Sequence, residues 1–283
     1  MSAKSVGKHR FPFHMTVRGG YERLHEPICD EGYMSFLGVL HGRVKIRIGL
    51  HELEAGEGEL FFIPSSALFL TSAVSGFASV RIMSFHRSIL TENMDALEQD
   101  LLYMLSLQAR VTPLCFDSDH PLHAKLSAYL QTAEEEYLSK EPCYQLPIRA
   151  SVYQMMTALL RYYSAEKKDD EHAVYHNVMR MKSVLDKIED DHEGTLTVAE
   201  LSSMLLVSPD HFTRIFKESL GVTPLEYINR VRIGRAMILL AKTSDPIESV
   251  AKAAGFSGTS YFYRLFKALV GTSPLAFKKS LDQ

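Results

Sequence analysis

The sequence predicts an α+β protein of two domains. The first is a small antiparallel β-sandwich or barrel followed by two helices. The second is all-α: two helix-turn-helix units joined by a linker helix. Three observations carry this. Short apolar runs with period-two alternation, separated by Gly and Pro turn signals, fill the first third of the chain. From about residue 121 the apolar period becomes helical. The tail then repeats itself: residues 211–225 (HFTRIFKESLGVTPL) superpose on 261–275 (YFYRLFKALVGTSPL) with a shift of fifty positions. At 283 residues the chain has room for two ordinary domains.

Taken in order, residues 35–40 form an apolar stretch closed by His41-Gly42, and residues 43–48 alternate strictly as Arg, Val, Lys, Ile, Arg, Ile, which predicts a strand with one buried face. A Gly-rich turn at 55–59 leads into Leu60-Phe61-Phe62-Ile63, a strand that Pro64 ends. Alternation returns over 77–85. Residues 121–140 and 146–163 carry apolar side chains at helical spacing and predict two tandem helices. The charged stretch AEKKDDEH at 165–172 reads as a linker, giving a first domain of 1–165, a linker of 166–173 and a second domain of 174–283.

Helix starts are well marked in the tail. Thr197 with Glu200, Thr223 with Glu226 and Asp245 with Glu248 have capping-box spacing; Pro209, Pro224, Pro246 and Pro274 sit where a first helical residue belongs. The expected helices are 174–191, 198–205, 209–219, 224–241, 246–254, 259–269 and 274–280.

Composition narrows the class. Hydrophobic residues make up 46%, as in ordinary globular domains, and no apolar run approaches the roughly 20 residues of a membrane span. The start (MSAKSVGKHRFPF) lacks an apolar core of signal-peptide length, so a cytoplasmic protein without a membrane partner is expected. Cys29, Cys115 and Cys143 are far apart and outside zinc spacings, and are expected as reduced thiols. The net charge of −3 is uneven: residues 196–283 hold 11 Lys and Arg against 7 Asp and Glu, a surplus of four that leaves −7 for the rest. Positive potential therefore collects on the repeat.

On a helical wheel the first repeated helix places Phe212, Ile215 and Phe216 inside and Asp210, Arg214 and Lys217 outside, flanked by His211 and Thr213. The second places Phe262, Leu265, Phe266 and Leu269 inside and Ser260, Arg264 and Lys267 outside, flanked by Thr259 and Tyr263. A DNA major groove admits one helix. Arg can pair bidentately with guanine there, while Thr, Ser, Asp and Tyr offer shorter contacts. Lys217 and Lys267 fit phosphates, as do the free N–H groups at the helix starts. The intervening helix of some 18 residues is about 27 Å long, compatible with successive groove openings about 34 Å apart. Double-stranded DNA is the expected partner.

These residues carry a family resemblance. Residues 174–283 resemble the DNA-binding domain of the AraC/XylS family of bacterial transcription regulators, through Ala251, Gly255-Phe256-Ser257, Tyr261-Phe262, Arg264, Phe266-Lys267, Gly271 and Ser273-Pro274. The linker helix matches in Tyr227, Arg232-Ile233, Ala236 and Leu239-Leu240, and the family's closing Tyr-Arg stands here as Phe277-Lys278. The resemblance implies that Asp210, Thr213, Arg214, Ser260, Tyr263 and Arg264 occupy base-reading positions. It also implies that Arg232 partners nearby carboxylates; Arg230 and Arg235 stay unassigned.

More weakly, residues 30–86 resemble the cupin-type ligand-binding domain that precedes many such units, so the predicted first domain is a cupin-like β-barrel. The pattern is a hydrophobic strand at 36–40, Gly42, a strand at 44–48, the turn at 56–58 and the segment 60–64. Cupin enzymes hold metal through a His-x-His pair. His25, His41, His51 and His86 supply no such pair, and no nucleophile elbow, P-loop or dinucleotide fingerprint occurs. No metal, cofactor or catalysis is expected. The resemblance implies a ligand-responsive regulator, usually an activator of carbohydrate or other metabolite genes that touches RNA polymerase. Its small-molecule effector, such as a sugar, would enter the barrel under an arm at 11–18, and helices 121–163 would form a homodimer. Two alternatives remain: a metalloenzyme fused to DNA-binding helices, and a front domain that only dimerises. Strand register leaves the effector residues unassigned, since a one-residue slip inverts the faces.

Overall fold

In the computed structural model the described residues are 11–282, excluding 26, 30, 31, 66, 93, 166–170 and 192–193. Among the described residues the first domain contains eight strands: β1 (Phe13–Gly20), β2 (Tyr33–His41), β3 (Val44–Ile48), β4 (His51–Ala55), β5 (Leu60–Ile63), β6 (Phe69–Ala73), β7 (Ala78–His86) and β8 (Leu114–Phe116). Four helices accompany them: α1 (Ser88–Thr91), α2 (Ala96–Val111), α3 (His123–Ser139) and α4 (Gln145–Ala165). The second domain contains α5 (Glu171–Asp190), α6 (Val198–Met204), α7 (Pro209–Leu220), α8 (Pro224–Lys242), α9 (Ile247–Ala253), α10 (Thr259–Val270) and α11 (Pro274–Asp282).

The strands make two antiparallel sheets, ordered β1-β7-β2-β5-β8 and β4-β3-β6. Among the described residues the two sheets are not hydrogen-bonded into one closed barrel, which corrects the barrel expectation to a sandwich of sheets. The five-stranded sheet is the middle layer. Leu37, Val39, Phe61, Ile63, Val80 and Ile82 face Val44, Ile46 and Ile48 of the smaller sheet. Alternate residues Met34, Phe36, Phe62, Met83 and Phe85 face the helices α2, α3 and α4. Burial on both sides explains why β2 and β5 read as continuous apolar runs while β3 alternates.

Three expectations change here. The arm at 11–18 contains most of strand β1, which pairs with β7 from Phe13↔Phe85 to Gly20↔Ala78 and buries Phe13 and Met15 in the core. Helix α2 was not expected; its Asp95–Glu98 capping box is formed, with Asp95 Oδ1 accepting from Glu98 N at 2.8 Å. It buries Leu102, Leu105 and Ala109 against the sheet but Leu107 against the second domain, so no single apolar stripe marks it. At α9 the Asp245 box is absent: Pro246 is the N-cap and no side chain caps it. The linker expected at 166–173 falls at 166–170 outside the described residues, and Glu171 already belongs to α5.

The domains share two cores. Leu107, with Tyr103 and Met104 of α2, joins the cluster built by α5, α7 and α8. Cys29 and Leu68 join the cluster built by α8, α10 and α11. Polar contacts add to them: Arg110 pairs with Glu189, Lys182 lies 3.2 Å from Asp100, and Arg23 donates to the Ser280 carbonyl at 2.7 Å.

Candidate nucleic-acid interface

Each unit folds for local reasons. In the first, the Thr197–Glu200 capping box starts α6, Ser208 Oγ accepts from His211 N at 3.3 Å to start α7, and Gly221 ends α7 in the left-handed conformation. In the second, α10 starts after Gly258 and ends at left-handed Gly271. Phe212 and Phe216, like Phe262 and Phe266, are fully buried edge-to-face pairs. They lock the rotation of α7 and α10 about their axes and thereby fix which residues face outward.

Those outward residues include the ones the sequence singled out. Asp210, His211, Arg214 and Lys217 of α7 are exposed and Thr213 is half-buried, its Oγ1 donating to the Pro209 carbonyl at 2.8 Å. Thr259, Ser260, Tyr263, Arg264 and Lys267 of α10 are all exposed. Neither face lies under the first domain's shared cores. Arg214 Nη2 lies 3.1 Å from His211 Nδ1 and 3.9 Å separates its other terminal nitrogen from Glu218. The Arg264 guanidinium stands 5.4 Å from the Tyr261 ring centre.

The repeat is not uniform. The turn between α6 and α7 has four residues (205–208), and that between α9 and α10 has five (254–258). Gly255 takes the second turn's left-handed position at φ +89, while the first uses Leu206 at φ +55, its side chain 94% exposed.

Helix α8 holds the units apart, started by a Thr223–Glu226 capping box with Pro224 at its first position. Arg232 donates to Asp191 at 3.0 Å, in a pair whose side chains are almost fully withdrawn from water. Burial pushes the Asp191 carboxyl up, but bonds from Arg232 and from the Gly194 and Thr195 backbone outweigh it and hold it below the usual carboxylate range. Arg235 donates to the Asp191 carbonyl and, at 2.7 Å, to that of Glu189. These two arginines therefore brace the end of α5. Gly194 belongs to the same joint: at φ +74, a Cβ there would stand 2.0 Å from the Gly255 carbonyl oxygen. The carboxylate partner implied for Arg232 is thus present; that it would be Asp191 was not legible in the sequence, because the two lie 41 positions apart.

Among the described residues no group of three or more His, Cys, Asp or Glu is placed to hold a metal ion, and no helix is long and apolar enough to cross a membrane.

Comparison with known proteins agrees with this geometry. Residues 201–280 match the family model described as a helix-turn-helix domain. The chain is 30% identical over 95 residues to the arabinose operon regulatory protein of Escherichia coli, covering 33% of this chain and 32% of that protein. It is 24% identical over 258 residues to the uncharacterized HTH-type transcriptional regulator YdeC of Bacillus subtilis, covering 89% and 86%. Several curated relatives are matched over only a third to two-fifths of their own length. The fold of the whole chain is similar to that of ToxT from Vibrio cholerae O395, with a TM-score of 0.52 at 16% identity over 96% of this chain and 99% of that one. The tandem units and these matches together show a helix-turn-helix domain over residues 201–280 that is similar to the domains of AraC/XylS-type transcriptional regulators.

Proposed function

We propose that this protein is a ligand-responsive transcription regulator that binds double-stranded DNA through α7 and α10. Asp210, Thr213 and Arg214, and Ser260, Tyr263 and Arg264, meet base edges, with His211 and Thr259 flanking them on the same DNA-facing surface. Lys217 and Lys267 meet phosphates. The observation that carries the reading is the pair of exposed polar faces on α7 and α10, each fixed by buried aromatics and joined by a single rod, α8. At 19 residues α8 is about 28 Å long, which suits neighbouring major-groove segments on one face of the duplex.

Residues 1–165 form the regulatory domain in this reading, a cupin-like sandwich, and residues from 174 onward form the DNA-binding domain. Helices α3 and α4 pair two chains, so that four reading helices meet paired sites with raised effective affinity. The space between the sheets is filled by Phe61, Phe69, Ile46 and their neighbours. That filling favours another place for the effector: a cavity of about 250 Å³ where α8 meets the β3–β4 turn and the end of α2, walled by Ile48, Leu68, Met237 and Ile238 and edged by Arg230. An effector there would touch both domains, and any preference for one arrangement of them would shift DNA affinity. Contact with RNA polymerase would turn binding into activation.

The test is binding of the full chain to duplexes selected from a random pool. Arg214→Ala and Arg264→Ala should each lose about 1 to 3 kcal/mol at selected sites and much less on unrelated DNA. Parent-like affinity in both variants would overturn the assignment of the reading helices.

A further inference from the structure

We propose that the residue three positions before each reading arginine, His211 in the first unit and Tyr261 in the second, is a positioning residue that aims that arginine, and that the two units do this by different chemistry. The inference rests on the reading of Arg214 and Arg264 above and deepens it.

In the first unit the device is a hydrogen bond. Arg214 Nη2 stands 3.1 Å from His211 Nδ1. A guanidinium only donates, so Nδ1 is the unprotonated, accepting nitrogen of the ring. The backbone of His211 is itself fixed, because its N–H donates to Ser208 Oγ at the helix cap. Glu218, one turn farther on at 3.9 Å, flanks the guanidinium from the other side. Arg214 is thus held along the surface of α7 between an acceptor before it and a carboxylate after it.

In the second unit the same slot, fifty positions on, holds a phenol. The Tyr261 ring lies 5.4 Å from the Arg264 guanidinium carbon, a cation–π distance, and the position equivalent to Glu218 is Ala268. Tyr261 is anchored where His211 is not: its hydroxyl accepts from Asn229 Nδ2 at 3.1 Å, and its ring packs against Phe256 at 6.2 Å. Asn229 is a buried residue of α8. The aim of Arg264 is therefore tied to the linker helix, whereas the aim of Arg214 is set within α7 alone.

An unheld exposed arginine loses side-chain freedom when it docks bidentately on a base; one already aimed loses less. Removing a holder should therefore weaken discrimination at the base pairs its own arginine reads, and leave the other half-site and the fold alone.

The test is a base-preference profile of the full chain on a random duplex pool. The variants are R214A, R264A, H211L, H211N, Y261F and Y261L, with a thermal melt of each as a check on folding. H211L fills the slot but has neither an acceptor nor an aromatic ring. It should relax preference about two- to fivefold at the base pairs that R214A affects and nowhere else. H211N, whose amide oxygen can take the place of Nδ1, should restore it. Y261L should relax only the base pairs that R264A affects, and Y261F, which keeps the ring and loses the Asn229 bond, should fall between Y261L and the parent. The proposal is overturned if H211L and Y261L leave those preferences intact or lower affinity evenly at every position, or if H211N behaves like H211L. Failure of the DNA reading is a separate result: R214A and R264A would then change no base preference at all.

Discussion

Single residues in this chain do separable jobs, and the most testable is one that breaks a backbone rule. Leu206 sits at φ +55 with its side chain 94% in water, at the turn position the second unit gives to Gly255. A leucine in that region costs about 1 to 2 kcal/mol, and glycine's freedom in the unfolded chain returns part of any gain from relieving it. Leu206→Gly should therefore raise stability by about 0.5 to 1 kcal/mol, read as the urea midpoint at unchanged slope; a lower midpoint would mean that the side chain contributes packing. Arg232 and Asp191 make the opposite case, a withdrawn ion pair. Arg232→Ala leaves the carboxylate withdrawn from water without its partner and should cost about 3 to 5 kcal/mol. Because the folded Asp191 carboxyl lies below its ordinary range, its contribution is present above the unfolded pKa and fades as pH falls through the folded value. Asp191→Asn should therefore flatten the acid limb of the stability curve below about pH 4, the ordinary range of the group. An unchanged acid limb would contradict this.

At the level of elements, caps decide where helices begin and buried aromatics decide which way they face. The boxes at Thr197 and Thr223 are formed as their spacing predicts, and Thr223→Ala should destabilise the second domain by about 1 kcal/mol, seen in the same denaturation experiment. A change below a few tenths would mean that Pro224 alone sets the start of α8. Where elements could not be read from sequence, the cause is burial on more than one side. Helix α2 divides its apolar residues between two domains, so its period is blurred even though Asp95 and Glu98 announce its start. Strands β2 and β5 were visible as apolar runs, but their two faces could not be told apart without knowing that the sheet is a middle layer. Strand β1 was taken for an arm because its outer half is polar; only pairing with β7 makes it a strand.

Over the whole molecule, the duplicated tail announced the tandem helix-turn-helix domain and the candidate reading residues directly, because a repeat of caps, aromatic pairs and basic positions is a local pattern. The way the two domains meet was not legible. Arg110 and Glu189 are 79 positions apart, Leu107 and Leu68 serve different halves of the second domain, and nothing in local spacing ties them. The consequence is that the first domain grips both halves of the second, at α5 through α2 and at α11 through Arg23. In the proposed regulation, that grip is what would carry a change in the first domain to the relation of the two reading helices.

That relation is the centre of the account, and hydroxyl-radical footprinting of the full chain on a selected site tests it most directly. Two protected patches on one face of the duplex, about 10 to 11 base pairs apart, are expected for each bound chain. Arg214→Ala should weaken one patch and Arg264→Ala the other. A single patch, or loss of the same patch in both variants, would contradict the claim that α7 and α10 read neighbouring grooves.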